Sequence, residues 1–183
     1  MTAAPIPAIL RPVLETDRVL TCAQAQRHHG LDPARLPRGL YTTTRMTAPT
    51  KNTREVKVCY LAADPRLLHL DTASLRHLVL LAELRRALKV PANPSIWRSE
   101  ADHHGLERPD GYWIPEPGAS PVPLEIDVGG YSRDRVDNKL LHYHRNAPAQ
   151  IWGSPSQSRL DFITERARAF KLPNVVTRLL QFP

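Results

Sequence analysis

The chain has 183 residues, 42% hydrophobic and 23% charged, enough for one domain with a full core or for a small domain joined to a medium one. No apolar run approaches the roughly 18 to 20 residues that span a bilayer, which excludes a membrane helix. Lysine and arginine number 25 against 18 aspartates and glutamates, giving a formal charge of +7 and a pI near 9.8. That balance, mostly arginine, favours a polyanionic partner, nucleic acid above all.

The opening stretch, MTAAPIPAILRPVLE, lacks the basic start and continuous apolar core of a secretory signal, so a cytoplasmic location is expected. Residues 1–14, rich in Pro and Ala, are expected to be a flexible arm. Thr21 as N-cap and Gly30 as C-cap predict a helix through LTCAQAQRHHG. Asp32 followed by Pro33 predicts a second, short helix that Pro37 limits. A basic turn, RMTAPTKNTR, leads to REVKVCYLA, where Val56, Val58 and Tyr60 alternate with Glu55, Lys57 and Cys59 as in a strand. Residues 15–64 therefore read as a compact winged-helix-like DNA-binding segment, or as an irregular extension of a larger domain. Cys22 and Cys59, far apart and without CxxC or zinc spacing, are expected as buried free thiols.

DTASLRHLVLLAELRRALKV places Leu75, Leu78, Val79, Ala82, Leu84 and Leu88 at three- and four-residue steps behind a capping Asp71, Thr72 or Ser74, and so predicts a central helix. Short strands follow at SIWRSE, DGYWI and PLEIDVGG, then a helix over about 132–144, a strand at AQIWGS, a helix over about 156–170, and a last strand or tail at NVVTRLL. The expected class is α/β in the α+β sense, a mixed central sheet flanked by helices, over 65–183.

In PLEIDVGG, Leu124, Ile126 and Val128 share one face while Glu125 and Asp127 share the other. A core strand avoids ionised groups unless they are paired, because desolvating a lone carboxylate costs several kcal/mol or forces its protonation. If RPDGYWI is the neighbouring strand of a hairpin, Asp110 joins Glu125, and converging acidic oxygens suit Mg2+ or Mn2+. Taken one at a time, each carboxylate is as readily a solvated strand residue or an arginine partner. On the next helix one side presents Arg135, Lys139 and His142 or Tyr143, which can face phosphate or solvent.

The series WRSE, RPDG, LEIDVG, KLLHY and IWGSPSQSRL resembles the replication-relaxation family of plasmid and mobile-element proteins, in which a winged-helix segment precedes a domain similar to PD-(D/E)xK nucleases. The resemblance covers about residues 16–172 and rests mainly on 97–152. It implies a restriction-endonuclease-like core in which Asp110 and Glu125 bind a divalent ion. It further implies that a first-helix carboxylate, here Glu83, completes or orients the ion, and that a lysine two residues after the glutamate activates water. Asp127 stands at that lysine position, as a further ligand or as an ion-pair partner, and Lys139 on the following helix is the candidate for a migrated lysine. The implied activity is that of a metal-dependent DNA endonuclease or nickase with catalytic Asp110, Glu125 and Lys139 and metal ligands Asp110, Glu125, Asp127 and Glu83. The alternative is a catalytically inactive DNA-binding protein on the same core. DNA contacts are expected from Arg27, Arg35, Arg38, Arg45, Arg133 and Arg135. Replication or mobilisation proteins are the expected protein partners, and the oligomeric state is open between monomer and homodimer.

Other motifs carry less. The eight histidines, among them the pair His103 and His104, lack a converging zinc set; His77 reads as a core or rim histidine; Trp97, Trp113 and Trp152 read as core. DVGGY has no dinucleotide or P-loop spacing, and no nucleophile elbow is present.

Overall fold

A computed structural model describes residues 5–100 and 108–182; residues 1–4, within the expected arm, and the His103 and His104 pair lie outside them. The described chain is a mixed α+β protein with five α-helices and two sheets. Its first half runs α1 (Leu10–Asp17), β1 (Val19–Thr21), α2 (Cys22–His29), β2 (Tyr41–Thr47) and β3 (Val56–Ala62), with a 3₁₀ turn at Pro65–His69. Its second half runs α3 (Thr72–Ala87), β4 (Trp97–Ser99), β5 (Gly111–Trp113), β6 (Val122–Ile126), α4 (Arg133–Asn146), β7 (Gln150–Ser154), α5 (Gln157–Ala169) and β8 (Val175–Leu179).

Helix α2 starts where the capping pattern says it should: Gln24 N–H donates to Thr21 Oγ1, and the Gln24 side chain accepts from Thr21 N–H. It ends on Gly30 at φ +64°, where a glycine costs nothing. The arm is ordered from Leu10, because Leu10, Val13 and Leu14 form an apolar stripe that packs with Leu20, Leu61 and Ala82. No helix forms after Asp32. Asp32 does accept from Ala34 N–H, but the segment closes as a turn and passes into β2, whose first residues fall in the segment expected as the short helix and whose last three, residues 45–47, fall in the expected basic turn. Cys22 and Cys59, expected as free thiols, are bonded as a disulfide between α2 and β3, with Cα atoms 5.5 Å apart. Burial alone does not distinguish two cysteines brought face to face from two kept apart.

The three-stranded sheet, order β1-β3-β2, is antiparallel throughout. In the five-stranded sheet, order β4-β5-β6-β7-β8, the first three strands form an antiparallel meander. The pairs β6-β7 and β7-β8 are parallel, joined by α4 and α5. Helix α3 lies between the sheets and is apolar nearly all round, as a buried helix must be. Leu80, Leu81 and Leu84 pack on Leu124, Ile126 and Ile151 of the larger sheet, while Leu75, Leu78 and Val79 pack on Val19, Val58 and Tyr60 of the smaller. Arg85, also on α3, donates two 2.7 Å bonds to the buried carboxylate of Asp17 and a third to Val90 O, tying α1 to α3. Core packing thus continues across residue 64.

Candidate functional site

The alternation in β6 holds. Leu124, Ile126 and Val128 join the core under α3, whereas Glu125 faces α4. β5 and β6 pair antiparallel through Gly111 and Leu124, so the next residues outward, Asp110 and Glu125, lie across from one another. Both carboxylates are buried, Asp110 at 2% exposure and Glu125 at 0%. Asp110 is held in place by Ile126 N–H, which donates to its Oδ2 at 2.6 Å.

Lys139 reaches the same place from α4. Its Nζ donates to Glu125 Oε1 at 2.5 Å, to Arg108 O at 3.0 Å and to Tyr143 Oη at 3.3 Å. Tyr143, one turn further along α4, donates to the same Oε1 at 2.5 Å, and Tyr131 donates to Oε2 at 3.2 Å. Burial and then the Asp110 charge push the Glu125 carboxyl up to about 7, against the lowering influence of Lys139. Burial and the two neighbouring carboxylates hold both tyrosine hydroxyls well above their ordinary range, so each remains a donor. Two mutually repelling carboxylates with one ammonium between helix and sheet make a site that gains from further positive charge.

Two expected ligands go elsewhere. Asp127 takes Arg159 of α5, whose Nε donates to its Oδ2 at 3.0 Å, and accepts from Gly129 N–H at Oδ1. It therefore pairs with neither Lys139 nor the Asp110–Glu125 set. Glu83 accepts from Gln24 Nε2 at 2.9 Å and meets His28 at 3.3 Å, on the α2 side of α3. The residue that α3 presents to Asp110 is His77, Nδ1 to Oδ1 at 3.3 Å. Six positions at 100° per residue set His77 and Glu83 about 120° apart round the helix, so only one of them can reach the sheet end. Among the described residues no three His, Cys, Asp or Glu side chains stand ready as a metal-binding group; the oxygens at hand are those of Asp110 and Glu125.

The arginines divide between rim and periphery. Arg135 lies over the Tyr131 ring, 4.4 Å from its centroid, and so flanks the site, whereas Arg133 is 3.9 Å from Asp137, which pairs with Arg166 of α5. Arg27 donates to Gln181, Arg35 lies 3.9 Å from Asp32, Arg38 is exposed beside Gly39, and Arg45 donates weakly to Leu68 O. Sequence reasoning passed over Tyr131 and the role of His77. The spacing Arg135, Lys139, Tyr143 was the available signal for the helix side, and none existed for His77. No helix among the described residues is long and apolar enough to cross a membrane. Comparison with family models, with curated proteins and with solved structures gives no match.

Proposed function

We propose that the chain is a metal-dependent DNA endonuclease or nickase that hydrolyses phosphodiesters, on a restriction-endonuclease-like core akin to that of the replication-relaxation family. One observation carries the reading: buried Asp110 and Glu125 on neighbouring strands share their corner of the sheet with Lys139 from the next helix. That is the chemistry of aspartate, glutamate and lysine which the nuclease pattern requires, with the lysine supplied from α4 in place of the position that Asp127 fills. The meander β4-β5-β6, the crossover through α4 and the parallel β7 support the core. Helix α2, set between β1 and the β2–β3 hairpin of the antiparallel β1-β3-β2 sheet, supports a winged-helix-like segment over 15–64, without the second helix expected after Asp32.

The oxygens of Asp110 and Glu125 are hard donors whose mutual repulsion a divalent cation relieves, so they fit Mg2+ or Mn2+. Asp110 and Glu125 would hold such an ion, and the chemistry it would supply is polarisation of a phosphate and a lowered pKa for water. Lys139, held by Arg108 O and Tyr143, keeps an ammonium where negative charge builds on the phosphate. His77 steadies Asp110, and Tyr131 and Tyr143 fix the rotamer of Glu125.

The second reading, a DNA-binding protein that no longer cuts, draws on one contact: Lys139 and Tyr143 both occupy Oε1 of Glu125. Incubating supercoiled plasmid with Mg2+, Mn2+ or EDTA, with the Asp110→Ala/Glu125→Ala protein alongside, separates the two. Metal-dependent nicking lost in the variant establishes the nuclease; DNA that shifts in a gel yet stays intact with both proteins establishes the binder.

A further inference from the structure

The β2–β3 hairpin ends beside the site, although its sequence lies far from it. Lys51 N–H donates to Val128 O at 2.8 Å, and the Lys51 Cβ stands 3.7 Å from where a side chain on Gly129 would begin. Val128 and Gly129 belong to the turn that leads from Glu125 and Asp127 into α4. A second tether comes from α3, where Arg76 Nη1 donates to Ala48 O at 2.8 Å. The tip is also closed on itself: Thr53 N–H and Oγ1 donate to Thr50 O, and Thr50 N–H donates to Thr53 Oγ1.

This anchored tip is basic. From Tyr41 to Ala62 the hairpin carries Arg45, Lys51, Arg54 and Lys57 against the single acid Glu55, and residues 51–57 are all exposed. Among the described residues neither Lys51 nor Arg54 has an acidic partner. Uncompensated cations on a loop held by its backbone lose little freedom on binding an anion, and the regularly spaced anions of a nucleic-acid strand match several at once. The tip seats on Val128 and Gly129, the latter two residues before Tyr131, whose hydroxyl donates to Glu125, so a strand held at the tip lies next to the site.

We infer that the hairpin tip, through Lys51 and Arg54, grips the phosphate backbone of duplex DNA and positions it over the Asp110–Glu125–Lys139 corner. The assignment rests on the nuclease reading for what lies beneath the strand, but its own test is a binding measurement. The full chain is titrated into a fluorescein-labelled 30-bp DNA duplex at several NaCl concentrations. Three proteins are compared: wild type, Lys51→Gln/Arg54→Gln, and Arg168→Gln/Lys171→Gln, which removes the same charge from the end of α5. Each phosphate contact contributes about 0.9 to the slope of log K against log salt, so the hairpin variant should lower the slope by about 2 and the α5 variant should leave it unchanged. Hydrolysis of bis(p-nitrophenyl) phosphate with Mn2+, a substrate with no flanking strand, should be the same for the hairpin variant and wild type. An unchanged slope in the hairpin variant, an equal fall in the α5 variant, or a wild type that does not bind the duplex overturns the assignment. A lowered slope in a protein that hydrolyses neither DNA nor the small ester leaves the hairpin as a DNA contact and removes the nuclease reading instead.

Discussion

Glu125 makes the stability of this protein depend on pH in a direction opposite to that of an ordinary ion-paired carboxylate. In the unfolded chain it loses its proton near 4.5; in the folded chain burial and Asp110 delay that loss to about 7. The folded state therefore binds more protons between those values, and stability that is full below 4.5 falls as the pH rises through 7. The gap between 4.5 and about 7, at 1.36 kcal/mol per pH unit, amounts to about 3 kcal/mol. For a chain of this size that corresponds to a fall in Tm of roughly 10 °C. The comparison is with Glu125→Gln/Lys139→Met, which removes the titrating group without leaving a buried cation alone. Melts in EDTA from pH 5 to 8.5 should show the wild type losing stability relative to the variant across that window. Near pH 8, about 10 mM Mg2+ should restore part of the loss in wild type only, by binding the folded state. A constant difference between the two proteins across the pH range would refute the reasoning.

Other outcomes follow from single contacts. Asp110→Ala/Glu125→Ala should lower metal-dependent plasmid nicking by about 10³-fold while the affinity for duplex DNA, measured by anisotropy, stays within about twofold, since the carboxylates supply charge stabilisation and not phosphate contacts. Arg85→Met leaves Asp17 buried without its cation and should cost about 3–5 kcal/mol in a urea titration. Gly111→Ala would set a Cβ 2.5 Å from the backbone oxygen of Arg98, so β4 must move away from β5; a cost of about 1–3 kcal/mol is expected, with faster amide exchange in β4 than in β7.

Helix boundaries were legible wherever a cap and an apolar period coincided. Thr21 and Gly30 bracket α2, Asp71 N-caps α3 by accepting from Ser74 N–H, and Ser132 N-caps α4 by accepting from Arg135 N–H. Helix α1 was not legible because Pro12 and its alanine-rich approach disguise the Leu10, Val13, Leu14 stripe, whose partners Leu61 and Ala82 lie far along the chain. Strand β2 was missed because YTTTRMT has no alternation of burial; as an edge strand paired only with β3, it exposes most of both faces.

Of the candidate site, the part within one or two elements was readable. Period two set Glu125 apart from the apolar face of β6, the hairpin brought Asp110 opposite, and period 3.6 aligned Lys139 with Tyr143. Only the tertiary structure decided that Asp127 goes to Arg159, that His77 and not Glu83 meets Asp110, and that Lys51 seats against Val128. The reason is physical. A period tells which residues share a face but not what that face meets, and α3, apolar nearly all round, carries no preferred rotation in its own sequence. Its orientation is set by packing two sheets at once, and the polar residues at its margins take whichever partners that packing brings within reach.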